Sequence, residues 1–159
     1  MSVEKVRAYL EKYGYADRIR EFGVSSATVA LAAKALGCEE KHIAKSLSFD
    51  VSGETVLVVA AGDVKVDNGK FKRTINTKAR MLPADEVEAR VGYAVGGVCP
   101  FGVREGVKVY LDESLKRFET VYPACGSASS AIPLTVEELY RLGNAVGWVD
   151  VCKAAVPVA

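Results

Sequence analysis

The sequence predicts a mixed α/β fold, and three stretches carry that assignment. Thr28 to Leu36 is a run of helix formers ended by Gly37. Thr55 to Ala61 is an apolar strand with no polar alternation, the pattern of a central strand covered on both faces. Short helical and extended segments then alternate to the end, with no internal repeat, linker or low-complexity stretch. A chain of 159 residues has the length of one domain, residues 1–159, and is long enough to bury a full core.

Taken in order, Val3 to Phe22 opens with apolar residues at helical spacing (Val6, Tyr9, Leu10, Tyr13), so a surface helix should end near Gly14. Ser25 or Ser26 can cap the second helix, whose alanines suit close packing on a sheet. Glu39 and Glu40 open a helical turn through His42 and Ile43. Lys45 to Phe49 alternates as a strand, and Asp50 to Glu54, with Ser52-Gly53, makes a hairpin into the apolar strand. Asp67 caps a short basic helix, and Ala79 to Leu82 reads as an edge strand stopped by Pro83. Ala84 to Arg90 is a helix with Asp85 and Glu86 in its first turn, where its dipole favours them. Val107 to Asp112 and Glu119 to Tyr122 are strands around a turn at Glu113 to Phe118. Ala131 to Leu134 is an edge strand, because Pro133 cannot donate to a ladder. Thr135 and Glu138 form a capping box on the helix Val136 to Leu142, which Gly143 ends. Trp148 to Val151 closes the fold, and Ala154 to Ala159 reads as a frayed tail.

Half the residues are hydrophobic and 26% are charged, an ordinary globular balance. No apolar run reaches membrane-spanning length, and Met1 to Arg20 is too charged for a signal peptide, which places the protein in the cytoplasm without a membrane partner. The four cysteines are scattered without a CxxC pair and only His42 could join them, which argues against a disulfide framework or a metal site. A net charge of +1 argues against a general nucleic-acid coat, yet the charge is uneven. Between Lys65 and Arg80 lie Lys65, Lys70, Lys72, Arg73, Lys78 and Arg80 against Asp67 alone, either a solvated surface or a phosphate-contacting edge.

Chemistry is concentrated in Tyr93-Ala94-Val95-Gly96-Gly97-Val98-Cys99-Pro100-Phe101-Gly102. Paired glycines let a backbone approach a ligand closely, and Pro100 stiffens the second half of the loop. Such a loop can present the amides of Gly97, Val98 and Cys99 to an oxygen or anion, or be a plain tight turn. Lys45 at a strand start can enter a cleft or simply reach solvent. Asp112 ends a strand, where it can serve a site or cap the next turn. A dyad of His42 with Cys99 or Cys125 would need spatial coincidence.

The order Ala32 to Gly37, Ile43-Ala44-Lys45-Ser46-Leu47, Ala61-Gly62-Asp63, Gly96 to Gly102, Val109-Tyr110-Leu111-Asp112 and Gly126 resembles the YbaK family. These are freestanding relatives of the editing domain inserted in bacterial prolyl-tRNA synthetases, and the resemblance spans about residues 20 to 143. It implies a mixed sheet curled into a partial barrel with helices outside. It also implies a deacylase that hydrolyses alanine or cysteine from tRNA for proline, without metal or cofactor. The acceptor end of aminoacyl-tRNA is the implied partner, with a prolyl-tRNA synthetase as a candidate second one. By the resemblance, Lys45 anchors the terminal adenosine or its phosphate, and Gly96, Gly97, Val98, Cys99 and Pro100 form the carbonyl-binding loop. Ser46, Asp112, Cys125, Gly126 and Ser129 are the implied substrate contacts. The sequence departs from the family at Cys125, where many relatives have serine, and at Ala131, where they carry an acid; Ser129 and Ser130 can substitute as polar wall. Competing readings are a non-catalytic tRNA-binding module of the same fold and a thiol hydrolase using Cys99 or Cys125.

Overall fold

The apolar segment is the middle of the sheet. The computed structural model describes residues 2–23 and 28–155. Its central sheet runs in the order β6-β2-β3-β5-β8: β6 (Tyr122–Pro123), β2 (Ile43–Val51), β3 (Glu54–Ala61), β5 (Lys108–Asp112) and β8 (Gly147–Val149). β2 and β3 pair antiparallel and the other contacts are parallel, giving a mixed sheet that curls into a half-barrel. Leu57 to Ala61 of β3 are fully buried, as expected for a strand between two neighbours with both faces covered. Ser52 and Gly53 both have positive φ, which matches the hairpin to the twist of the sheet.

The helices are α1 (Ser2–Glu11), α2 (Val29–Leu36), α3 (Asn68–Ile75), α4 (Ala84–Val91) and α5 (Val136–Leu142). All but α2 send a narrow apolar stripe into the core: Val6 and Leu10 from α1, Phe71 from α3, Val87 and Val91 from α4, Leu139 and Leu142 from α5. The Asp67 side chain accepts from the Lys70 amide at the start of α3, and the box between Thr135 and Glu138 closes at the start of α5. Thr28 caps α2 by accepting from the Leu31 amide, so it stands outside the helix; Ser25 and Ser26 lie outside the described residues.

Several expected boundaries move. α1 stops at Glu11, and Gly14, with φ +79°, follows it in a turn. β2 is longer than Lys45 to Phe49 because β3 pairs with it from Ala44 to Val51. Ala79 to Leu82 makes a single bridge, Met81 to Phe49, and Glu119 to Tyr122 shrinks to β6 with a bridge from Val121 to Leu134. Three short strands carry no sequence signal: β1 (Arg20–Glu21), and β4 (Val64–Val66) with its partner β9 (Cys152–Ala154); β1 pairs with β7 (Ser130–Ala131). Ala154 is thus in a strand, while Val156 to Ala159 lie outside the described residues.

The outer edge of β2 is closed at both ends and open in the middle. Its ladder to β6 ends at Ala44↔Pro123. Further along, the Leu82 amide donates to the Ser48 carbonyl at 3.0 Å and the Asp50 amide to the Arg80 carbonyl at 2.8 Å. Lys45 to Leu47 lie between, with no strand neighbour on that side among the described residues.

Candidate functional site

A cavity of about 420 Å³ opens at this interrupted edge. Its walls come from β2, the Met81–Leu82 segment, α2, α4, the glycine loop and the Tyr122–Ala131 region. Lys45, Ser46, Ser48, Gly96, Val98 and Ser130 all line it. Among the described lining residues Lys45 carries the only ammonium group, and there is no His, Cys, Asp or Glu.

The glycine loop is held from below by backbone contact. A Cβ on Gly97 would lie 2.5 Å from the Gly126 carbonyl carbon and 2.6 Å from the Ser127 amide nitrogen, so only glycine lets the two main chains touch here. Gly96 and Gly126, with φ +94° and +91°, supply the turns on either side of that contact. The Tyr93 hydroxyl donates to the Phe101 carbonyl and fixes the far end of the loop. The Gly97 amide donates to the Ala94 carbonyl at 3.0 Å. Those of Gly96, Val98 and Cys99 have no backbone acceptor among the described residues. Of the amides foreseen for the ligand, Gly97 is therefore spent, while Gly96 and Val98 reach the cavity wall.

Lys45 is half-buried, and burial pushes its pKa below the usual lysine value. Its ammonium donates to the Val64 carbonyl in β4. Ser46, the next residue, has a buried Oγ with no hydrogen-bond partner among the described residues. An orphaned buried hydroxyl costs roughly 1–3 kcal/mol.

The remaining sequence-chosen residues lie behind the wall. Cys99 and Pro100 are buried beneath the loop, and Pro100 packs close to Gly143. Burial pushes the Cys99 thiol up to about 12 and raises that of Cys125 as well, so neither is a ready thiolate. Gly126 supports Gly97, and Ser129 spends its carbonyl on the Phe22 amide. Asp112 does not reach the cavity. Its carboxylate accepts from the Ser114 and Val151 amides, each at 2.9 Å, and so caps the following turn and ties down the C-terminal segment. His42 packs edge-on against Phe118 with ring centroids 4.7 Å apart, and it is not among the residues lining the cavity. Sequence reasoning missed Ser48, Tyr122, Met81 and α2 as wall, because strand pairing and chain crossing bring them there.

The aminoacyl-tRNA editing domain model matches residues 24–142. The chain belongs to the aminoacyl-tRNA editing domain family. That match contains every described residue lining the cavity, whereas α1, β1, β8 and β9 fall outside it. The uncharacterised protein YwhH of Bacillus subtilis (strain 168) is 50% identical over 154 residues, covering 96% of this chain and 98% of that protein. EbsC of Enterococcus faecalis (strain ATCC 700802 / V583), provisionally described as a Cys-tRNA(Pro)/Cys-tRNA(Cys) deacylase, is 31% identical over 115 residues, 70% of each chain. Among solved structures, one provisionally described as a trans-editing enzyme for prolyl-tRNA synthetase superposes with a TM-score of 0.86 at 31% identity, covering 96% of this chain and 98% of its own. The fold of that structure is therefore shared along almost the whole chain.

Proposed function

We propose that this editing domain is a trans-acting aminoacyl-tRNA deacylase, hydrolysing the ester of a small neutral amino acid wrongly attached to tRNA for proline in the cytoplasm. The observation that carries the reading is that Lys45, Ser46, Gly96 and Val98 line one cavity, with the amides of Gly96 and Val98 lacking a backbone acceptor among the described residues. Its volume falls within the roughly 300–1,000 Å³ of small-molecule sites, a size suited to an aminoacyl-adenosine end but not to a nucleic-acid duplex.

In this mechanism a water oxygen attacks the ester carbonyl carbon. The carbonyl oxygen becomes an oxyanion facing the Gly96 and Val98 amides, donors worth about 2.7–4 kcal/mol each at such a centre. The proton from water passes to the substrate's own ribose hydroxyl or α-amine and then to the departing 3′ oxygen, leaving free amino acid and intact tRNA. Lys45 exchanges the Val64 carbonyl for an oxygen of the terminal adenosine or its phosphate and so orients the ester. Ser46 supplies a hydrogen bond to the bound aminoacyl end. Raised pKa values and burial of Cys99 and Cys125 speak against a thiol mechanism.

A panel of aminoacylated tRNAs, scored for release of amino acid, tests the reading. Wild-type protein is expected to release one or a few small amino acids from tRNA for proline, and Lys45→Ala to lower kcat/KM by about 10- to 100-fold, as for loss of a charge-assisted contact. Protection of the ester in place of release would make the chain a binding module, and equal rates in both proteins would remove Lys45 from the mechanism.

A further inference from the structure

The basic segment from Lys65 to Arg80 does not line the cavity. Lys65, Lys72, Arg73, Lys78, Arg80 and Lys153 are all exposed, and none lies within ion-pair distance of a carboxylate among the described residues. The acids around them are already committed. Asp67 caps α3, Asp150 pairs with Lys70 at 3.0 Å, Asp63 with Arg117 at 2.6 Å, and Asp50 with Arg90 at 2.9 Å. Lys70 therefore drops out of the set that the sequence suggested. In its place β9 adds a cation, because Lys65 and Lys153 are direct cross-strand partners in the β4–β9 ladder. Like charges directly opposite on a ladder are destabilising, so this pair costs stability unless an anion lies across it.

The elements that carry these cations are in contact with one another. β4 and β9 are joined by their ladder, and the Lys70 ammonium ties α3 to the Cys152 carbonyl of β9 at 2.9 Å. Phe71 of α3 packs on Phe49 of β2 at 4.8 Å, and Met81 bridges that same Phe49. Arg80 is fixed to β2 through its carbonyl, one residue before Met81 at the cavity wall.

We propose that Lys65, Lys153, Lys72, Arg73, Lys78 and Arg80 form a docking track for the phosphodiester backbone of an RNA, leading its 3′ end to the cavity. The inference rests on the deacylase reading for what enters the cavity, and on the charge arrangement alone for where the polyanion lies. Its spacing over two strands, a helix and a loop suits a phosphate chain better than a single anion.

The test uses fluorescently labelled, uncharged tRNA, titrated at several salt concentrations. Lys65→Gln/Lys72→Gln/Arg73→Gln is compared with a control of equal charge loss, Lys12→Gln/Lys108→Gln/Lys116→Gln, after melting curves show both folded. The track variant is expected to lose at least tenfold in affinity, with a log–log salt slope shallower by about 2 to 3, whereas the control stays within twofold. Unchanged affinity and slope in the track variant, or equal loss in the control, would overturn the proposal. So would intact tRNA binding alongside lost binding to phosphatidylglycerol vesicles, which would assign the track to a lipid surface. Hydrolysis of 3′-aminoacyl-adenosine by wild-type protein is measured separately. An inert wild type there removes the deacylase reading while tRNA affinity still decides the track.

Discussion

Ser46 shows how a side chain can be a defect in the fold that the proposed site would use. Its Oγ is buried without a partner among the described residues, so removing it should not weaken the protein. Ser46→Ala is expected to keep or raise the melting temperature while lowering kcat/KM for aminoacyl-tRNA about three- to tenfold; a lower melting temperature with unchanged activity would make the hydroxyl merely structural. Lys45 and Ser46 were legible as neighbours in a motif, but the direction of the ammonium was not. It is set by the Val64 carbonyl, in a strand that exists only by pairing with Cys152 to Ala154 near the other end of the chain. Asp112 was legible only as a choice between site and cap. Two backbone amides, one of them from Val151, decide for the cap.

At the scale of elements, local chemistry was readable wherever a helix end carried its own signal. The box on α5 is the clearest case, and it does more than cap. Glu138 accepts from the Thr135 amide at 2.9 Å and the Tyr15 hydroxyl at 2.6 Å, and pairs with Arg18 at 3.1 Å, joining α5 to the turn after α1. Burial raises its pKa, but those three donors outweigh burial and hold the carboxyl below the usual value. A carboxyl with a lower folded than unfolded pKa contributes stability that is present above about pH 4.3 and lost as pH falls through the folded value. Glu138→Gln should therefore cost up to about 1 kcal/mol at pH 7, and the gap from wild type should close towards pH 3 in thermal melts. A gap independent of pH would mean that shape, not charge, links these elements. The strands β1, β4 and β9 were illegible for the opposite reason. Two or three residues hold no periodicity, and each is defined solely by a distant partner.

Over the whole molecule, the central place of β3 and the mixed architecture follow from one uninterrupted apolar run, whereas the curl of the sheet came only through family resemblance. Burial has a chemical readout here. Cys99, Cys125 and Cys152 are inside and Cys38 is partly exposed. Iodoacetamide is expected to label native protein once, at Cys38, and all four thiols after denaturation, with deacylation unaffected by the native label; mass spectrometry counts the adducts. Fast labelling of Cys99 would show the loop opening without global unfolding. The interrupted edge of β2 has a last consequence. Between its end-stops at Pro123 and Leu82, the bare stretch from Lys45 to Leu47 is about 10 Å long at about 3.3 Å per residue. A guest polypeptide needs a longer rail to add itself as another strand. This edge can thus leave main-chain polar groups uncovered beside the cavity and still be too short a template for fibril growth or swapping between copies.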